Sequence, residues 1–160
     1  MIELAPDETG GSLHDRLALL GAELLGEALE VYLAGRLKPV AQPGEGVTLA
    51  PMLAKEDGRV DFARPAAVVD AWIRGMDPWP GAFSSLGGDR LKLFASTTTG
   101  APRGTSGQPG EVLSVDSRGL LVACSDGALF VRELQLPGRR RIGASALCAG
   151  RPIPAGTLLG

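Results

Sequence analysis

The chain has 160 residues, a mass of 16.5 kDa, 44% hydrophobic and 21% charged side chains and a net charge of -2. These figures fit one ordinary domain plus an extra element and exclude general disorder, and no apolar run approaches the roughly 20 residues a membrane-spanning helix needs. Met1 to Glu8 have neither basic nor apolar leader character, and Cys124, Cys148 and the single His14 are too scattered for a metal cluster, so the chain reads as cytoplasmic, with reduced buried thiols and neither a membrane nor a metal partner.

The first predicted element is a helix beginning at Ser12, with Leu13, Leu17, Leu20, Leu24, Ala28 and Val31 spaced along one face. Ser12 is the expected N-cap, Asp15 the acidic residue of the first turn, and Gly35 the stop, with Pro39 soon after. A single apolar stripe needs a surface to cover it, either in this chain or on another domain. Residues 35–50 contain Pro39, Pro43, Gly44 and Gly46 and read as a linker.

A second helix is expected from Pro65 to Gly75, presenting Val68, Val69, Trp72 and Ile73, and ending before Pro78. Short apolar runs follow at Leu91–Phe94, Val112–Val115, Leu120–Cys124 and Ala128–Val131, separated by turn signals such as Gly87-Gly88-Asp89, Asp116-Ser117-Arg118-Gly119 and Ser125-Asp126-Gly127. This punctuation predicts a small β-barrel or meander, with a short helix near Ser145–Ala149.

Charge is unevenly placed. Residues 1–50 hold 3 basic and 8 acidic side chains, whereas from Arg90 onward the count is 9 to 4. A polyanion partner would require such a basic excess, and ordinary charge variation also produces it. Catalytic signals are lacking. His14 has only the adjacent Asp15 for company, and neighbours in a helix diverge, so it reads as a surface or packing residue. The glycine-rich stretches read as hairpin punctuation, no Ser-His-Asp or Cys-His set is convincing, and Glu56-Asp57 reads as a solvated pair of acids.

From Met52 onward an ordered series of segments stands out: Met52-Leu53, Lys55-Glu56, Val60-Asp61-Phe62, the Ala66–Arg74 helix, Asp77-Pro78-Trp79-Pro80-Gly81-Ala82-Phe83, Arg90-Leu91-Lys92-Leu93, Pro109-Gly110-Glu111-Val112, Gly119–Leu129 and Leu134–Arg141. In order and spacing they resemble the C-terminal domain of the methionyl-tRNA formyltransferase family. Glu8–Leu17 is similar to the region that closes that family's catalytic domain. Met52 replaces a basic residue, and Phe62 a tryptophan, usual in the family.

The resemblance implies an α+β, mainly β fold: a small open OB-like barrel preceded by an amphipathic helix and a linker. Residues 1–34 would be the end of the catalytic formyltransferase domain, 35–50 the linker and 51–160 the tRNA-side barrel. It implies formylation of methionyl-initiator tRNA with 10-formyltetrahydrofolate as donor, in translation initiation. The family's catalytic residues and folate pocket lie upstream of the matched region, so this chain alone is expected to be inactive, with no catalytic, cofactor-binding or metal residue. Its implied partners are initiator tRNA and the catalytic domain. The expected tRNA contacts are Lys92, Arg90 and the cluster Arg139, Arg140 and Arg141, with Arg118 and Arg132 weaker candidates; Trp79 is expected to be a core anchor. The domain of another formyl-group enzyme (an amino-sugar formyltransferase or formyltetrahydrofolate dehydrogenase) and a non-enzymatic assembly module are the alternatives.

Overall fold

The computed structural model describes residues 2–102 and 107–160. Helix α1 spans Gly10–Leu33 and begins two residues before the expected Ser12. Thr9, not Ser12, is the N-cap; the Thr9 hydroxyl accepts from the Ser12 N–H (3.1 Å) while Ser12 Oγ accepts from the Thr9 N–H (2.9 Å). This reciprocal pair satisfies two end-of-helix donors at once, and it leaves Asp15 beyond the first turn. At the other end Gly35 takes φ +69, with its N–H on the Tyr32 carbonyl and that of Arg36 on the Val31 carbonyl. A left-handed residue is needed there, and glycine adopts it without a Cβ clash. No residue of α1 is buried, and residues 34–54 are exposed and carry no helix or strand.

A 3-10 turn at Lys55–Gly58 leads to α2 (Ala66–Gly75), whose first N–H donates to the Asp126 carbonyl at 3.0 Å. Of the four apolar residues expected to face inward, only Val69 and Ile73 do; Val68 and Trp72 are 48% and 42% exposed. The helix packs mainly on β2 and β5, with its C-terminal end against the start of α1, so one stripe is covered and its flank is not.

The strands are β1 (Phe83–Leu86), β2 (Asp89–Thr97), β3 (Val112–Asp116), β4 (Gly119–Ala123), β5 (Ala128–Gln135) and β6 (Ile142–Gly143), followed by α3 (Ala144–Gly150). They form an antiparallel sheet of order β1-β2-β5-β4-β3. The sheet is open, because β1 and β3 end the path without pairing with one another. β2 occupies one flank of β5; β4 takes the other flank at residues 128–131 and β6 continues it at 133–134. The expected strand runs all lie in or against β2 to β5. β1 and β6 were not expected: one is half serine and the other has two residues, too little pattern to read.

Leu91, Leu93, Leu120, Val122, Leu129, Val131 and Leu134 face one core, closed by Val69 and Ile73 of α2 and Leu147 of α3. Leu121, Ala128 and Phe130 pack on the other side of the sheet, so β4 is buried on both faces and reads as a continuous apolar run. Phe62 is buried in the main core. Gly110 has φ +87, its N–H donates to the Ala123 carbonyl and its carbonyl accepts from the Leu159 N–H; a Cβ there would strike the Leu159 backbone. Gly110→Ala is therefore expected to lower stability by about 2 kcal/mol or more in urea unfolding, from the positive φ and the collision together.

Candidate nucleic-acid interface

Alternation along β2 decides where its basic residues go. Leu91 and Leu93 are fully buried in the core, so Arg90 and Lys92 stand on the opposite face. Lys92 pairs in register with Gln135 of β5, and the chain then turns through Leu136–Arg141 into β6. This turn is held by its own backbone: the Arg139 N–H donates to the Leu136 carbonyl (3.1 Å), and Gln135 Nε2 donates to the Arg139 carbonyl (2.7 Å). Two concavities flank it. One of about 180 Å³ is lined by Arg90, Lys92, Gln135 and Leu136; the other, of about 760 Å³, by Arg139, Arg140, Ile142, Leu147 and Arg151, with Leu136 and Gly138 shared between the two.

The cations of this face differ in how far they are committed. Arg90 pairs with Glu56 at 2.8 Å and lies 3.9 Å over the Phe83 ring. Glu56 is thus not simply solvated, and Asp57 accepts from the Ala54 N–H at 2.6 Å. Lys92 is half-buried, its ammonium donating to the Pro80 carbonyl at 3.2 Å. Arg151, which the sequence reading did not single out, pairs loosely with Asp89 at 3.3 Å; an isolated arginine in a Pro/Gly tail carries no signal. Arg139 and Arg140 are exposed, and among the described residues their guanidiniums make no ion pair or hydrogen bond.

Arg141 parts company with its two neighbours. Its guanidinium bonds both carboxylate oxygens of Asp77 (3.2 and 3.0 Å), pairs with Glu133, and lies 4.2 Å over the Phe94 ring. The expected arginine triplet is therefore a pair of free cations and one structural tie. Arg118 is likewise engaged, holding the Asp116 carboxyl below its usual range through side-chain hydrogen bonds and lying over Phe130. With Arg132 it lines a separate concavity of about 330 Å³.

Trp79 corrects the expectation of a core anchor: it is 57% exposed, while Met76, Asp77 and Pro80 on either side are buried. The Asp77–Pro78 and Trp79–Pro80 peptide bonds are both cis. The segment is anchored by Asp77, whose carboxylate meets Arg141 and whose carbonyl accepts from the Gly11 N–H at 2.9 Å. Pro78 lies so close to Gly11 that a Cβ there would collide with its ring. His14 is exposed on α1. Among the described residues no group of three or more His, Cys, Asp or Glu side chains is placed to hold a metal ion, and no helix is long and apolar enough to cross a membrane.

Residues 52–152 match the family model of the formyl transferase C-terminal domain. The chain belongs to that family. It is also 45% identical over 154 residues to a methionyl-tRNA formyltransferase of Myxococcus xanthus, covering 96% of this chain and 48% of that protein. A methionyl-tRNA formyltransferase of Geobacter sulfurreducens is 45% identical over 159 residues, covering 99% and 49%. The chain thus spans about half the length of the curated relatives it matches. Among solved structures, a variant of HypX from Aquifex aeolicus superposes with a TM-score of 0.60 at 25% identity, over 80% of this chain and 22% of that one. HypX in complex with tetrahydrofolic acid shares the fold at TM-score 0.60 and 22% identity, over 86% and 26%.

In this formyl transferase C-terminal domain the thiols are poor nucleophiles. Burial pushes Cys124 up to about 12 and also raises half-buried Cys148. A thiol that stays protonated at neutral pH reacts slowly. At pH 8 the native chain should label with a thiol reagent at Cys148 before Cys124, both slowly, and unfolding should release both; fast native labelling of Cys124 would contradict its burial. The arginines should separate in a second measurement. Arg141→Ala leaves the Asp77 carboxylate, 11% exposed, without its cation and should cost about 1–3 kcal/mol of stability, whereas Arg139→Ala and Arg140→Ala should cost less than about 0.5.

Proposed function

We propose that this chain is the tRNA-side part of a cytoplasmic methionyl-tRNA formyltransferase, which uses 10-formyltetrahydrofolate to formylate the amino group of methionyl-initiator tRNA in translation initiation. The observation that carries the reading is the face around the β5–β6 turn, in a chain 45% identical to methionyl-tRNA formyltransferases. Arg139 and Arg140 are unpaired there, with Arg151, Arg90 and Lys92 beside them. Long cations on a rigid turn suit phosphates, because each contact releases condensed counterions from the nucleic acid. Binding on this face orients the tRNA; it performs no bond-making step.

Residues 1–34 are then the closing helix of the catalytic formyltransferase domain, 35–50 the linker and 51–160 the tRNA-side domain. Support comes from α1. Its N-terminus is fastened to the barrel by Gly11 N–H to Asp77 and by Arg74 Nη1, which donates to the Glu8 carbonyl at 2.9 Å. The remainder of α1 leaves the barrel with Leu17, Leu24 and Leu25 at 48%, 65% and 62% exposure. Leucines in such a row are covered by a partner surface, and the catalytic domain provides it. Trp79, at the foot of this helix, lies at the same junction.

The formyl donor is not placed on this chain. Catalytic residues belong to the other domain.

The test is a salt titration of initiator-tRNA binding. Affinity should fall steeply with salt, and the Arg139→Ala/Arg140→Ala double variant should flatten the log–log slope by about 2, one unit per phosphate lost. Arg141→Ala should change the slope little. No tRNA affinity even at low salt would instead favour the equivalent domain of another formyl-group enzyme, and formyl transfer by this chain alone would overturn the division of labour.

A further inference from the structure

The uncovered flank of α2 lines a groove distinct from the two that flank the β5–β6 turn. Val68 and Trp72, four residues apart and so adjacent on the helix surface, form one wall. Arg59, Asp61 and Arg64 form the other, and Val60 and Val69 lie between them, enclosing about 210 Å³. We propose that this groove holds one unpaired nucleotide of a bound RNA, its base stacked on Trp72 and its phosphate on Arg59 and Arg64.

Three observations converge on that occupant. The space is below the size of a drug-like site and suits a single flat ring system, and a half-exposed tryptophan beside valines offers the stacking surface that unpaired bases take. The rim is cationic: Arg59 has no carboxylate partner among the described residues. Arg64 meets Asp61 only at 3.7 Å, with both side chains about two-thirds exposed (68% and 65%). A pair so loose and wet is worth little and yields readily to a phosphate.

The groove also neighbours the basic face. The guanidiniums of Arg59 and Arg90 lie over the same Phe83 ring, at 5.7 and 3.9 Å. A strand whose phosphates cross Arg139, Arg140 and Arg90 arrives at Arg59, where one nucleotide turns inward. A neutral aromatic side chain from a protein would fill the groove but leave Arg59 without an anionic partner and Arg64 with only its loose contact to Asp61, so charge complementarity favours the nucleotide.

The inference rests on the RNA reading above, and the experiment separates the two. The full chain, carrying Trp79→Phe so that Trp72 is the sole indole, is titrated with a short single-stranded oligoadenylate and with a blunt RNA duplex of equal length. Oligoadenylate should quench Trp72. Trp72→Ala should weaken its binding about tenfold, Trp72→Phe should restore most of the loss and Trp72→Leu should not, while duplex binding is unchanged throughout. Arg59→Gln should lower the salt slope for oligoadenylate by about 1. If Trp72→Ala binds oligoadenylate as tightly as the parent while Arg139→Ala/Arg140→Ala loses it, the groove is refuted and the basic face stands. If neither RNA binds at all, both readings fall. Tighter binding of a neutral aromatic peptide than of oligoadenylate would assign the groove to protein and overturn the proposal.

Discussion

Asp77 joins three parts of the molecule, and the arrangement of the functional surface depends on it. Its carboxylate is nearly buried, and a carboxylate taken from water requires a cation and hydrogen bonds. Arg141 supplies both, after crossing from the end of the β5–β6 turn and lying over Phe94. The Asp77 backbone carbonyl accepts from Gly11, so the same residue seats the first turn of α1. One residue therefore fixes where the turn emerges, where α1 leaves the barrel and how the Pro78-Trp79-Pro80 segment lies between them.

That tie also explains how an acidic chain presents a basic face. A net charge of -2 leaves little general attraction for a polyanion. What counts is which cations remain unpaired. Arg141 and Arg118 are held by carboxylates and rings, and Arg74 by Asp70 and the Glu8 carbonyl. Arg139 and Arg140 are left free because their turn is stabilised by its own backbone and by Gln135, with no need of their side chains. Arg151 arrives from the chain's tail and Arg90 from β2. The field is local, and screening at physiological salt confines it to groups within about 8 Å.

A second polar chain runs from the sheet to the arm. Ser96 Oγ on β2 donates to Asp70 Oδ1 at 2.7 Å, Asp70 meets Arg74 at 3.2 Å, and Arg74 donates to the Glu8 carbonyl; Glu8 in turn holds Arg16 at 2.9 Å. The partly buried members have their partners, as a polar network off the surface requires. Together with Gly11 and Asp77 it makes the root of α1 rigid, although none of its outer leucines is covered. A partner domain seated on those leucines would be held at a defined angle to the basic face.

Local chemistry carried much of this into the sequence. The 3.6-residue stripe of α1, Pro65 at the head of α2, and the Gly/Asp punctuation between apolar runs mark elements whose stability is decided by neighbouring residues, so helices and hairpins were legible from local pattern, the open arrangement of the sheet came with the family resemblance, and Arg139-Arg140 stood out only as a basic cluster in a loop. What the linear chain could not show was which of several similar groups would be spent on the fold. Arg141 is indistinguishable in sequence from Arg140, yet Asp77, 64 residues away, claims it. Trp79 has the composition of an anchor and Trp72 that of a helix core residue, yet both are exposed because burial depends on what packs alongside. Pairing and burial are long-range properties that compete for the same side chains, and only the folded arrangement of β5, β6 and the Asp77–Pro80 segment settles that competition.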